Sequence, residues 1–329
     1  MIKIDLITGF LGSGKTTFIK KYVDYLIEKG LNIGIIENDY GAVNVDMLLL
    51  EDTIGDKVDL EMVAGGCDAD CHRRRFKTKL IALGMLGYDR VLIEPSGIYD
   101  VDEFFDVLNE DPLNRWYTVG NVITVIDGKL ENDLSTESNY LLSSQISRAG
   151  RIVLSHADIA TPQDIDNTKK HLNAALAEFR GNRVLNNNDF IIANLNELDD
   201  NTLEALFRCG YKDFDHEKLI LGDNNDYNSV YLLSPGLTLD EIKSLTNKVY
   251  ADTRCGKVFR VKGFIEDKDN SKWYQVNATK TTIETKEITV GQDVVIIIGE
   301  DLDEEYIRSL LPDGKQGIRN VSLDISDGE

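Results

Sequence analysis

The sequence predicts an α/β fold: a P-loop NTPase parallel sheet with helices on both faces, followed by a small α+β C-terminal domain. Three observations carry this expectation. Near-continuous apolar runs alternate with longer stretches of helical period through the first half of the chain, as expected for strands buried on both faces and joined by crossover helices. The segment GFLGSGKTT, Gly9 to Thr17, satisfies G-x-x-x-x-G-K-[ST] between a strand and a helix. After about residue 200 the texture changes, leading to closely spaced strands with one helix among them and one at the end.

In chain order, the strands of the first domain are Ile2–Thr8, Asn32–Ile36, Arg90–Glu94, Asn121–Asp127 and Arg151–Ser155, each rich in β-branched residues. Lys15–Glu28 sets Phe18, Ile19, Tyr22, Val23 and Leu26 on one stripe, and Thr161–Phe179 repeats the period with Ile165, Leu172, Leu176 and Phe179. Leu221–Ser229 is dense in turn formers and reads as a linker. A strand at Val230–Leu233 and a helix at Leu239–Tyr250 follow. Strands near Lys257–Phe264, Trp273–Val276, Thr281–Thr285 and Val294–Ile298 come next, then a last helix at Asp303–Leu311. The expected domains are residues 1–222 and 223–329.

Composition narrows the function. The chain has 36 Lys plus Arg against 57 Asp plus Glu, a net charge of −21. That argues against nucleic acid as the partner, because affinity for a phosphate backbone rests on cationic side chains. The excess is not uniform: residues 101–226 hold 11 basic and 23 acidic groups, away from the glycine loop. Four cysteines are too few for a disulfide scaffold of this length. No apolar run approaches the ~18 residues of a membrane span, and the first residues already read as a strand. A cytoplasmic protein with no membrane partner is expected.

The glycine loop explains its own spacing. Backbone N–H groups of Gly9, Gly12, Ser13, Gly14, Lys15, Thr16 and Thr17 converge on phosphate oxygens, Lys15 reaches the β/γ-phosphates, and Thr16 holds Mg²⁺. RVLIEPSG, Arg90 to Gly97, supplies a strand-end acid, Glu94, for the metal and a backbone donor, Gly97, for the γ-phosphate. Lys15, Glu94 and Gly97 are thus the expected catalytic residues. Where GTP-binding folds carry N-K-x-D, this chain has Ser155, His156, Ala157 and Asp158. The Asp158 carboxylate matches the donors of guanine and repels the corresponding acceptors of adenine, which favours GTP over ATP. His156 can stack on the base.

At these residues the chain resembles the CobW-type subgroup of the metal-handling P-loop GTPases, whose other branches include the urease and hydrogenase nickel-insertion proteins UreG and HypB. The matching segments are GFLGSGKTT, ENDYGAVNVD at Glu37 to Asp46, GGC at Gly65 to Cys67, EPSG at Glu94 to Gly97 and VID at Val125 to Asp127. FRVKGF at Phe259 to Phe264 and the IIIGEDLDEE stretch match the family's C-terminal domain. The resemblance implies GTP hydrolysis coupled to delivery of a metal ion, Zn²⁺ or Co²⁺, to a client metalloprotein or cofactor enzyme. A second copy of the chain is an open further partner. Glu37 and Asp39, in the switch-like segment, are implied as metal contacts.

One motif departs from the pattern. The family's metal loop is G-C-x-C-C, whereas this chain reads GCDADCHRRR from Gly66 to Arg75. Cys67, Cys71 and His72 remain as thiolate and imidazole donors suited to zinc or cobalt. Cys67 and Cys71, four apart, would share a helix face. A lost metal site and a C-x-x-x-C redox pair are the other readings of the same residues. The altered loop also keeps open a nucleotide-dependent assembly switch that binds no transition metal. The run HRRRFKTK, His72 to Lys79, reads first as the solvated face of a helix. Cys209 and Cys255 read as small buried side chains.

Overall fold

A computed structural model describes residues 1–39, 55, 57–64, 69–131, 133–179, 183–212, 227–267, 272–280, 282–289, 291–312 and 314–315; the side chains of residues 39, 64, 69, 70, 227 and 228 lie outside that description. The chain divides into two compact units, Met1–Ile220 and Leu221–Glu329.

Among the described residues, the first unit contains seven parallel strands: β1 (Ile2–Thr8), β2 (Ile33–Asp39), β3 (Val58–Ala64), β4 (Arg90–Pro95), β5 (Tyr117–Asp127), β6 (Arg151–Ser155) and β7 (Phe190–Ile192). Their order across the sheet is β3-β2-β4-β1-β5-β6-β7. Strand order reverses around β1, so the loops leaving β1, β4 and β5 open at one crevice beyond the carboxyl ends, where open α/β sheets bind ligands. Among the described residues the unit's helices are α1 (Lys15–Glu28), α2 (Ala69–Gly84), α3 (Val101–Leu108), α4 (Leu113–Trp116), α5 (Thr136–Ser147), α6 (Pro162–Phe179) and α7 (Asp200–Phe207). On one face Phe18, Ile19, Tyr22 and Leu26 of α1 and Leu203 and Leu206 of α7 bury Ile7, Ile35, Leu92, Ile123 and Val125. On the other, Phe76, Leu80 and Leu83 of α2 and Phe104 and Val107 of α3 cover Ile4, Leu6, Ile36 and Ile93.

A buried polar network pins the centre of this sheet. The register of β1 against β5 shifts between Ile4 and Leu6, a bulge that releases the Asn121 N–H from the ladder. That N–H donates to Asp5 Oδ1 at 2.8 Å. Asp5 Oδ2 accepts from Tyr22 Oη at 3.0 Å, from Asn121 Nδ2 at 3.2 Å and from Arg90 Nη1. Asn121 Oδ1 in turn accepts from Gly210 N at 2.8 Å, tying in the chain after α7. Burial beside this carboxylate pushes the Cys209 thiol up to about 12.

The second unit is a five-stranded antiparallel sheet, ordered β11-β10-β9-β12-β8, from β8 (Tyr227–Leu233), β9 (Lys257–Asp267), β10 (Lys272–Ala278), β11 (Ile283–Ile288) and β12 (Val294–Glu300). Ile242, Leu245 and Val249 of α8 (Leu239–Ala251) pack on Val230, Val261, Val276 and Val295. A capping box starts α8, with Thr238 and Glu241 satisfying each other's backbone donors. The last helix, α9 (Glu304–Ser309), is capped by Asp303. Part of the expected linker is strand: Tyr227–Ser229 begins β8, while 221–226 lie outside the described residues.

Candidate functional site

The glycine loop joins β1 to α1. Gly9, Gly12 and Gly14 have φ of 147°, 77° and 90°, and Gly14 in the left-handed region starts the helix at Lys15. The Lys15 ammonium is buried and donates to Gly9 O at 2.9 Å, closing the loop on itself. Ser13 is also buried, and its Oγ has no hydrogen-bond partner among the described residues. Thr17 is exposed, whereas Thr16 is half-buried and donates from Oγ1 to Glu94 Oε1 at 2.8 Å.

Glu94 is the penultimate residue of β4, and Glu37 lies directly opposite it on β2. Partners in parallel register point to the same face, here the α1 face that carries Thr16. Both carboxyl groups are buried, at 3 % exposure for Glu37 and 5 % for Glu94. Two acids this close and this dry need cations or hydrogen bonds to remain ionised. The donors at this point, a hydroxyl and carboxylates, are all oxygen, the set that suits a hard cation such as Mg²⁺. The Asp39 side chain lies outside the described residues.

Gly97 lies beside the loop. A Cβ there would stand 2.7 Å from Leu11 Cδ2 and 2.8 Å from Leu11 N, so only a glycine lets the turn after β4 come this close. Ser96 N donates to Asn38 O at 2.8 Å, linking the same turn to β2.

The residues expected on the base side stand at the ends of β5 and β6, next to β7. Asp158 is exposed in the turn after β6. His156 adopts φ 54° and sets Nδ1 3.1 Å from Asp127 Oδ2, the acid of the VID segment. Ser155 is fully buried and donates to Ile126 O at 3.2 Å, so its hydroxyl braces the sheet and does not face outward. Sequence reasoning missed the turn after β7. Ala193 N donates to Leu154 O at 3.0 Å, Asn194 caps the following 3₁₀ turn, and a Cβ on Gly14 would meet Leu195 Cδ1 at 2.8 Å. The phosphate loop therefore rests on this turn. A three-residue strand leaves too little periodicity to have revealed it.

The implied metal donors are described in part. Cys71 is half-buried and His72 buried in the first turns of α2, with Phe76 one turn on from His72 in the core. Cys67 lies outside the described residues. Among the described residues, no three His, Cys, Asp or Glu side chains gather as a metal-holding group. Much of the basic run on α2 is paired within the unit: Arg73 and Lys77 meet Glu110 at 2.6 and 2.5 Å, and Lys79 meets Glu61 at 2.5 Å. Those hydrogen bonds, Lys77 first, hold the Glu110 carboxyl below the usual range.

Comparison with known proteins agrees with these motifs. The family described as CobW/HypB/UreG, nucleotide-binding domain, matches residues 3–182, and the family described as Cobalamin synthesis protein cobW C-terminal domain matches residues 237–314. The chain is 32 % identical over 166 residues to the zinc chaperone YeiR of Escherichia coli, covering 50 % of this chain and 49 % of that one. It is 29 % identical over 170 residues to the zinc chaperone YjiA of the same organism, covering 48 % and 50 %. The match thus spans about half the length of these curated relatives. The crystal structure of Zn(II)-bound YjiA GTPase is 20 % identical, with a TM-score of 0.38 over 94 % of this chain and 97 % of that one.

Proposed function

The chain belongs to the CobW/HypB/UreG family, whose nucleotide-binding domain matches more than half of it, and from that premise we propose that it binds and hydrolyses GTP and couples nucleotide state to delivery of a transition-metal ion to a client protein. Residues 1–222 act as the GTPase domain and 223–329 as the CobW-like C-terminal domain in this reading. The two E. coli relatives are described as zinc chaperones, which supports zinc over cobalt as the cargo.

The observation that carries the proposal is the pairing of Glu37 with Glu94 across β2 and β4. Glu94 bonds the P-loop threonine, and Glu37 opens the switch-like segment ENDYGAVNVD in the sequence. Two adjacent buried acids thereby join the phosphate loop to the strand that carries the start of the switch-like motif. Lys15 leaves Gly9 O for the β/γ-phosphates, while the Gly97 N–H reads the γ-phosphate. Asp158 takes the guanine donors and His156, beside Asp127, lies against the base. Thr16 and Glu94 would hold Mg²⁺, which would supply charge neutralisation at the phosphate oxygens.

The test is a calorimetric titration of the full chain with Zn²⁺ and with Co²⁺, with and without a non-hydrolysable GTP analogue. The analogue is expected to change metal affinity by about 5- to 150-fold, and metal must change analogue affinity by the same factor. No binding of Zn²⁺ or Co²⁺ at micromolar concentration in either state, together with unaltered GTP hydrolysis by a Cys67→Ala, Cys71→Ala variant under added metal, selects the assembly switch without a transition metal.

A further inference from the structure

After β4 the chain turns through Ser96–Asp100 before α3 begins, and this turn is sewn to α5. Gln145 Nε2 donates to Gly97 O at 2.8 Å. Ser144 Oγ accepts from Val101 N at 3.0 Å and donates to Asp100 Oδ1. Tyr140 Oη donates to Asp100 Oδ2 at 3.0 Å. The helix that makes these bonds is itself fixed. Thr124 Oγ1 of β5 donates to Gln145 O at 2.6 Å, and Arg183 caps the final carbonyls of α5 with bonds of 2.7 Å to Ile146 O and 2.5 Å to Ser147 O.

Gln145 is fully buried, and its Oε1 has no hydrogen-bond partner among the described residues. A buried amide with one unsatisfied end is less stable than an apolar side chain of equal length. Packing therefore does not account for glutamine here; the bond from Nε2 to Gly97 does. Gly97 is also the residue whose backbone lies against Leu11 of the phosphate loop.

We infer that Gln145 is a positioning residue: by holding Gly97 O it fixes the peptide planes around Gly97 and sets the N–H that reads the γ-phosphate. The inference rests on the reading of the chain as a GTP-binding protein. Gln145 touches no nucleotide and acts only through Gly97, so it affects a nucleoside triphosphate and leaves the diphosphate alone.

Gln145→Met in the full chain tests it. Affinity for GDP with Mg²⁺ is expected to stay within about twofold of wild type, while affinity for a non-hydrolysable GTP analogue falls about tenfold, the loss of one buried hydrogen bond. Amide hydrogen exchange without nucleotide is expected to speed up across Gly97–Val101. Equal losses for both nucleotides, or an unchanged analogue affinity, overturn the inference. If wild type binds no GTP, the functional reading fails, and the exchange measurement still decides: unchanged protection at Gly97–Val101 rejects the clamp. Should Gln145→Met not fold, Tyr140→Phe removes a bond to Asp100 while keeping the ring packed on Phe179. It is expected to weaken the analogue selectively by a smaller factor, and loss of GDP binding in parallel rejects the clamp.

Discussion

The Thr16 hydroxyl donates a 2.8 Å hydrogen bond to Glu94 Oε1, joining the first turn of α1 to the end of β4. Without that contact, two groups suited to one cation would be held apart by different elements. Thr16→Ala is expected to weaken Mg²⁺-dependent GTP binding about tenfold or more, as for loss of one charge-assisted contact. Glu94→Gln keeps an acceptor for Thr16 but removes the charge, and is expected to lower kcat more than it weakens GDP binding. Fluorescent-nucleotide titrations with and without Mg²⁺, beside steady-state hydrolysis, check both.

Asp158 stands exposed in the turn after β6, so its substitution tests base choice with little risk to the fold. Asp158→Asn exchanges two acceptors for one acceptor and a donor, which suits xanthine and not guanine. GTP affinity is expected to fall about tenfold or more while XTP affinity rises. A variant that binds GTP as wild type does would remove Asp158 from the base site.

The Asp5 and Arg90 pair is buried under the centre of the sheet. Removing one member leaves the other charge uncompensated, so Arg90→Met is expected to cost about 3–5 kcal/mol. Tyr22→Phe, which removes one of several donors to Asp5, costs about 1–2 kcal/mol. Adding Asp5→Asn to Arg90→Met is expected to restore part of the loss, because no buried charge then remains. Urea denaturation of the single and double variants gives the coupling; strict additivity would contradict it.

Acid stability has a named contributor. The Lys29 hydrogen bond, followed by those from Tyr25 and Arg208, lowers the Glu204 carboxyl from 4.5 to about 2. A group depressed on folding stabilises the fold above its unfolded value and loses that contribution as pH falls through the folded one. Glu204→Gln is thus expected to lower the denaturation midpoint at pH 7 and to matter progressively less between about pH 4.5 and 2. A gap between variant and wild type that stays constant across this window excludes the linkage.

The sequence made the phosphate end of the site legible because its chemistry is local: glycines, Lys15 and Thr16 fall in one nine-residue motif, and Glu94 ends an unbroken apolar strand. The missed elements lack that signal. β3, VDLEMVA, is an edge strand with Asp59 and Glu61 in it, so it never forms a continuous apolar run. β7 is three residues long. Helix α5, TESNYLLSSQIS, buries Ser138, Ser143, Ser144, Gln145 and Ser147 as well as its leucines, and a helix enclosed on most sides shows no apolar stripe. The register that sets Glu37 beside Glu94 depends on strand order, which no local pattern encodes. For that reason the two acids were separate expectations in the sequence and are neighbours in the fold.

The strand order also constrains how the chain is made. Among the described residues β1 pairs with β4 and β5 alone, so a nascent polypeptide that has emerged through residue 89 holds the strand before the glycine loop with both edges bare. β2 and β3 can already pair by then. The 38 residues from 90 to 127 take about 2–8 s to synthesise at ~5–20 residues per second, and through that interval Ile2–Thr8 is open to wrong partners. The strand that leads into the glycine loop is therefore translated before both of its partners and finds its frame only after them, which makes chaperone binding or ribosome shielding of Ile2–Thr8 the expected state of the half-made protein.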